Sequence, residues 1–224
     1  MQQMLENVKV LDFSVTVAGS QAAGMLADFG ADVIKIEKPD GGDPCRELSP
    51  FMKGVSLMHC FYNRGKQSVT LDLNNEKHRE IVRKMAAEAD VILESFQPGA
   101  MKAWGLDYAA VAGINPRVIY CSVTPFGQNG PYAQKQGNDL ICQALSGIMS
   151  ITGDPNSVPL KHGTPVSDLA GAENAYALIV GALAERLNSG KGQYIDVATM
   201  RMCIVLNSAI DQVNFNSYRN REGN

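Results

Sequence analysis

What this sequence lacks narrows its chemistry before anything in it is read. Histidine and cysteine are scarce, three and five in 224 residues, and no CxxC or paired-histidine spacing occurs. The single "HC" at 59–60 is too little to hold an ion, so the zinc and iron–sulfur frameworks built on such spacings are excluded. Cys45, Cys60, Cys121, Cys142 and Cys203 are odd in number and widely spaced; they read as buried thiols in a reducing compartment rather than as disulfide partners. Long apolar runs are missing as well: "AYALIVGALA" at 175–184 is about half of a bilayer span. The opening "MQQMLENVKV" has no basic stretch followed by an apolar one, so no leader is read there, and a soluble, cytoplasmic protein is expected. Charge of either sign is not in excess. A net charge of −3 supplies no long-range pull on polyanions, which removes nucleic acid and membranes from the expected partners and requires any anionic ligand to be met locally.

What is present is a globular composition with a repeating pattern. At 45% hydrophobic and 19% charged residues, the chain has enough apolar content for a full core. "VKVLDFS" (8–14) reads as a short buried strand, "AGSQAAGMLADFG" (18–30) as a helix ending on glycine, and "ADVIKIEKP" as a second strand. Such short connections force a parallel pair with a right-handed crossover. The alternation continues with strands in "KQSVTLDL" (66–73), "DVILESF" (90–96) and "PRVIYCSVTPFG" (116–127), and a helix in "EKHREIVRKMAAEA" (76–89). The expected fold is α/β: a Rossmann-like open, mostly parallel sheet with helices on both faces. After residue 130 the pattern turns helical, and "GKGQYIDVATMRMCIVLNSAIDQVNF" reads as a short strand running into a helix.

The loop "SVTVAGS" stands where the dinucleotide fingerprint G-x-G-x-x-G belongs, and that fingerprint is missing; Gly19 alone is a weak anion signal. Glu37, without those glycines, reads as a solvated strand-end carboxylate. Lys35, Lys38 and Arg46 flank the Pro/Gly-rich "KPDGGDPCRE" at the presumed carboxyl end of the sheet, where a phosphate docks or where charges are simply solvated. Arg64 and Lys66 read as a solvated turn. Phe96 with Lys102 suits stacking on a base beside phosphates, while Phe96 alone suits the core. Asp168 opens the apolar helix of "SDLAGAENAYALIVGALAERL". It reads as a helix cap whose ionised state also suits nucleophilic attack, with the small residues around it leaving room for a bulky ligand. Glu173 lies off its helical face, so no paired-carboxylate device is read there. Asp139 and the histidines complete the titratable groups. His78 reads as solvated, and neither His59 nor His162 has a nucleophile elbow beside it.

Taken in order, "VKVLDFSVTVAGSQAAGMLADFGADVIKIEKPDGGDPCR", "NRGKQSVTLDL", "ADVILESFQPGAMKAWGLDY", "NPRVIYCSVTPFGQNGPY", "QALSGIMSITG" and "TPVSDLAGAENAYALIVGALAERLNSGKGQYIDVAT" resemble the family III CoA-transferases. That group includes the formyl-CoA:oxalate and carnitine enzymes and is related to the α-methylacyl-CoA racemases. The resemblance spans the whole chain. It implies that Asp168 is the nucleophile of a reversible transfer of coenzyme A from an acyl-CoA thioester to a carboxylic acid, through a covalent aspartyl intermediate. It also implies coenzyme A contacts at Val17, Ala18, Lys38, Leu71, Asp72, Ser95, Phe96 and Gln97. Lys102 is a further candidate, because Ala103 stands where the family often has arginine. No metal and no permanently bound cofactor are implied; coenzyme A enters as substrate.

Two departures bear on the reading. The racemases carry a histidine in a "GHD" phrase where this chain has "GND", and Asn138 cannot shuttle a proton near neutral pH, which favours acyl transfer. Family chains are also about twice as long and form interlocked homodimers. The expected division is therefore a Rossmann-like large domain over 1–200 and a helix over 201–224 leading towards a smaller second domain largely absent from this chain. The alternative readings are a truncated, non-catalytic CoA-binding module and an α-methylacyl-CoA racemase.

Overall fold

The computed structural model describes residues 3–154 and 157–208. Six strands form one sheet: β1 (Lys9–Asp12), β2 (Asp32–Glu37), β5 (Gln67–Thr70), β6 (Val91–Glu94), β7 (Ile119–Thr124) and β8 (Gln193–Ala198). A small antiparallel hairpin, β3 (Phe51–Met52) with β4 (Val55–Ser56), stands apart from it. The main sheet is ordered β5-β2-β1-β6-β7-β8, and every pairing in it is parallel. Numbered along the sheet alone, this is the 3-2-1-4-5-6 order of doubly wound folds, with the direction of winding reversing between β1 and β6.

The central strands β1, β6 and β7 read as apolar runs because both of their faces are covered. Side chains alternate across a strand, and the two faces bury separate sets. On one face Val10, Val91, Leu93, Ile119, Cys121 and Val123 pack with helices α1 (Ala18–Asp28) and α7 (Val166–Ser189). On the other, Leu11, Ile92 and Tyr120 pack with α3 (Glu76–Glu88) and α5 (Tyr108–Ile114). Shorter helices complete the described chain: α2 (Leu57–Tyr62), α4 (Ala100–Ala103) and α6 (Asp139–Leu145), with 3₁₀ turns at Pro44–Glu47 and Ile148–Ile151. The helix expected from 201 begins at 199 and is described to 208; the remainder of the 201–224 segment lies outside the described residues. No helix among the described residues is long and apolar enough to cross a membrane.

Gly19 serves packing rather than a phosphate cradle. A Cβ added there would stand 2.4 Å from the Ser14 Cβ, so the glycine is what lets α1 begin directly against the end of β1.

Candidate active site

Asp168 occupies the third position of α7, and it does not cap that helix. The N-cap is Pro165, with no side-chain cap bond. An acidic residue three positions into a helix ordinarily reaches back to the N-cap backbone N–H, but proline has none. The Asp168 carboxylate is thereby released from the duty expected of it, and among the described residues it accepts no hydrogen bond. The first-turn donors are met from another helix. Asp139 Oδ1 accepts from Ser167 N at 2.8 Å and from Asp168 N at 3.4 Å.

That substitution of one carboxylate for another decides the electrostatics of the site. Asp168 is only partly exposed, and burial, reinforced by the charge of Asp139, pushes its carboxyl up to about 7. The positive end of a helix contributes roughly 0.3–1 kcal/mol towards the ionised form, less than one pH unit, so burial and like charge win over the helix end. The expectation of a carboxylate held firmly ionised is corrected to one balanced between its two forms near neutrality, where a proton-exchanging or nucleophilic group is most responsive. A second correction concerns space. Gly171 does not leave room for a ligand, because its bare face is filled by Thr199: an added Cβ would meet the Thr199 Cγ2 at 2.6 Å. Ser167 Oγ lies 3.2 Å from Thr199 Oγ1 on the same side.

The residues expected to contact coenzyme A are distributed over neighbouring hollows. Lys38, Leu71, Asp72 and Phe96 line one cavity of about 340 Å³ together with Ser14, Val15 and Trp104. It opens at the winding reversal between β1 and β6, where open α/β sheets take ligands. Phe96 is half-buried, edge-on to Trp104 at 5.3 Å between ring centres. Ser95, Phe96 and Gln97 line a second hollow of about 270 Å³ whose far side is Lys135–Gly137. Lys102 is exposed on a third, of about 320 Å³, with Gln97 and Tyr194; the structure separates it from Lys38 and Leu71. Val17 and Ala18 line none of the three. Val17 packs instead with Cys45, Tyr62 and Leu169, so the loop after β1 spans from the first cavity, at Val15, to the neighbour of Asp168. His78, read as solvated, accepts a hydrogen bond from Asp72 N at 3.0 Å and fixes that edge of the cavity.

Beneath this loop lies a buried charge cluster that corrects several expectations. Lys35 pairs with Asp43 at 2.9 Å and Asp12 at 3.5 Å, and Lys66 pairs with Asp12 at 2.7 Å, all with side chains at most 2% exposed. Neither lysine is free for a phosphate, and Lys66 is no solvated turn. Opposite charge outweighs burial at Asp12, whose carboxyl is held below its ordinary range despite complete enclosure. The cluster grips backbone: Lys35 Nζ donates to Ser14 O at 2.7 Å, and Asp43 Oδ1 accepts from Thr16 N at 3.1 Å. Thr16 has φ +62°, a left-handed conformation costly for a β-branched residue and sustained here by these fixed partners. Glu37, expected in solvent, is buried and accepts from Arg46 Nη2 at 2.7 Å and Ser68 Oγ at 2.6 Å. Those bonds outweigh its burial and hold it down to about 2; they also occupy Arg46. Four of the five cysteines are buried and Cys60 is exposed; all are free. No group of His, Cys, Asp and Glu among the described residues could hold a metal ion.

The sequence profile of CoA-transferase family III matches residues 5–224. The chain belongs to CoA-transferase family III. It is 42% identical over 203 residues to the succinate–glutarate CoA-transferase of Agrobacterium fabrum, covering 88% of this chain and 51% of that protein. It is 42% identical over 194 residues to the acetyl-CoA:oxalate CoA-transferase of Acetobacter aceti, covering 86% and 50%. This family III chain therefore spans about half the length of the curated relatives it matches. Its fold superposes on a CAIB/BAIF family protein from Brucella suis with a TM-score of 0.91 at 38% identity, over 97% of this chain and 58% of that one.

Two groups of this family III site escaped sequence reasoning. Asp139 was visible only as one more titratable residue, since nothing local shows that it serves a backbone N–H 28 residues later, in the first turn of α7. Trp104, the sole tryptophan, carries no motif; its indole N–H lies 3.3 Å from Asn74 Oδ1 across the cavity mouth.

Proposed function

We propose that the protein transfers coenzyme A reversibly from an acyl-CoA to a carboxylic acid, with Asp168 as the nucleophile. The observation that carries this is a partly exposed carboxylate at a helix start with no hydrogen-bonding duty, poised near neutrality. It follows directly on a loop contact that leads from the proposed coenzyme A cavity.

An Asp168 oxygen attacks the thioester carbonyl carbon, the C–S bond breaks, and CoA thiolate leaves an acyl-aspartyl anhydride. The thiolate then attacks the aspartyl carbonyl, releasing the donor acid and forming an aspartyl thioester. An acceptor carboxylate displaces the thiolate from that thioester to give a second anhydride. Attack of the thiolate on the acceptor carbonyl completes the new acyl-CoA and restores the Asp168 carboxylate. Each step exchanges one activated acyl bond for another, and no proton is gained or lost over the cycle. Val17, Ala18, Lys38, Leu71, Asp72, Ser95, Phe96 and Gln97 are the proposed coenzyme A contacts, with Lys102 at the margin. The relatives are named for succinate, glutarate and oxalate, so small dicarboxylic acids are the acceptors to try first. A homodimer in a reducing, cytoplasmic setting belongs to the same reading, and the free thiols support the latter.

Racemase chemistry at "GND" is disfavoured by what Asn138 is doing: its side-chain oxygen accepts from Ile141 N at 3.1 Å and caps α6. Incubation with acyl-CoA and hydroxylamine is expected to convert Asp168 to a hydroxamate, read by peptide mass. An Asp168→Ala variant that still exchanges coenzyme A refutes the role. Calorimetric binding of coenzyme A without any exchange points to the binding module instead.

A further inference from the structure

The Gln143 side chain sits wholly out of solvent behind the nucleophile, and both ends of its amide are in use. Nε2 donates to Asp139 Oδ2 at 2.6 Å, one turn back on α6. Oε1 accepts from His162 N at 2.8 Å, in the segment that leads into α7. The other Asp139 oxygen holds the first-turn N–H of Ser167. One neutral side chain thus ties together the anion beside Asp168, the approach to α7 and the start of α7 itself.

We propose that Gln143 is a positioning residue for the transfer: its amide pins the Asp139 carboxylate to the first turn of α7 and so fixes the distance between Asp139 and Asp168. The inference rests on the reading of Asp168 as nucleophile. An amide suits this place because it offers a donor at one end and an acceptor at the other. An ionised carboxylate there would have no donor for Asp139, and an apolar chain would have neither group, leaving the Asp139 oxygen and the His162 N–H without this partner.

The ionisable groups facing Asp168 are Asp139 and Cys142 from α6 and Tyr62 from α2, with Cys203 facing Asp139 from the 199–208 helix. None of these is a cation, so Asp139 is the charge beside Asp168 that a change at Gln143 can move, acting on top of burial, which is the larger cause. Two substitutions then push it in opposite directions. Gln143→Met frees Asp139 to turn away, and less negative charge beside Asp168 lets its carboxyl titrate lower. Gln143→Glu, once ionised, adds negative charge and makes Asp168 titrate higher.

The test is a carboxyl ¹³C titration of Asp168 in the wild type and both variants, each first shown folded by its near-ultraviolet circular dichroism. A displacement of about one pH unit, downward for Met and upward for Glu, is expected. The acid limb of the kcat/KM profile should move with it, with kcat lowered at least tenfold for Met and KM for acyl-CoA changed less than threefold. Midpoints that stay in place, or move the same way in both variants, overturn the proposal. The titration needs no turnover, so failure of the transferase reading registers separately, as absence of the hydroxamate on wild-type Asp168.

Discussion

Replacing Asp168 by asparagine should stabilise the protein, and should do so only above the pH at which the unfolded chain's carboxyl ionises. In the folded chain burial and Asp139 raise that carboxyl from an ordinary 3.8 to about 7. Folding therefore favours the protonated form, and the folded protein binds more protons than the unfolded one between those two values. By linkage, stability falls as pH rises through that window. The penalty is absent below the unfolded value and complete above about 7. At about 1.4 kcal/mol per pH unit its ceiling is about 4 kcal/mol, and partial access to water leaves on the order of 2. Asparagine keeps the shape without the charge. Unfolding free energies from urea curves of wild type and Asp168→Asn, taken at pH 4.5 and pH 8, should differ by roughly 0.5 kcal/mol at the lower pH and about 2 kcal/mol at the higher, in favour of the variant. An equal gain at both values would mean that the variant acts through packing. No gain at pH 8 would mean that Asp168 is not held in the disfavoured, enclosed setting on which its reactivity has been argued.

Three more outcomes follow from the geometry. Gly171→Ala forces a methyl to 2.6 Å from Thr199 Cγ2 and should cost about 1–3 kcal/mol; Thr199→Ser, which removes that carbon, should recover most of the loss in thermal melts of the double variant. Saturating coenzyme A should alter the emission of Trp104, the chain's one tryptophan, and Phe96→Ala should weaken binding about tenfold through loss of ring packing. Calorimetric binding without any change of emission would move the ligand out of that cavity. Lys35→Met leaves Asp43 buried beside Thr16 without its cation and should cost about 3–5 kcal/mol, whereas Lys35→Met with Asp43→Asn should lose much less; equal chemical-denaturation losses for the single and double variants would contradict the pairing.

The sheet was legible because each central strand is buried on two faces and so presents an unbroken apolar run, as in "VKVL" and "DVIL". The helices between strands were legible by spacing, and their short connections dictated the parallel order. The place of Asp168 at a helix start was also readable, but its freedom there was not, since it depends on a proline three residues earlier and on a carboxylate from another helix. The same limit hid the buried lysines. Lys66 looks like any turn residue until Asp12, 54 positions away, is brought to 2.7 Å. Composition reports how much charge a chain has; only the folded topology reports which charges meet.

Thr199 is the first residue of the helix described from 199 to 208, and it abuts both Ser167 and Gly171, on either side of Asp168 in sequence. The two helices touch closely at that joint. On the proposed mechanism, a shift of the chain at residue 199 therefore bears on the turn that carries Asp168, which couples the placement of the proposed nucleophile to the helix that starts there.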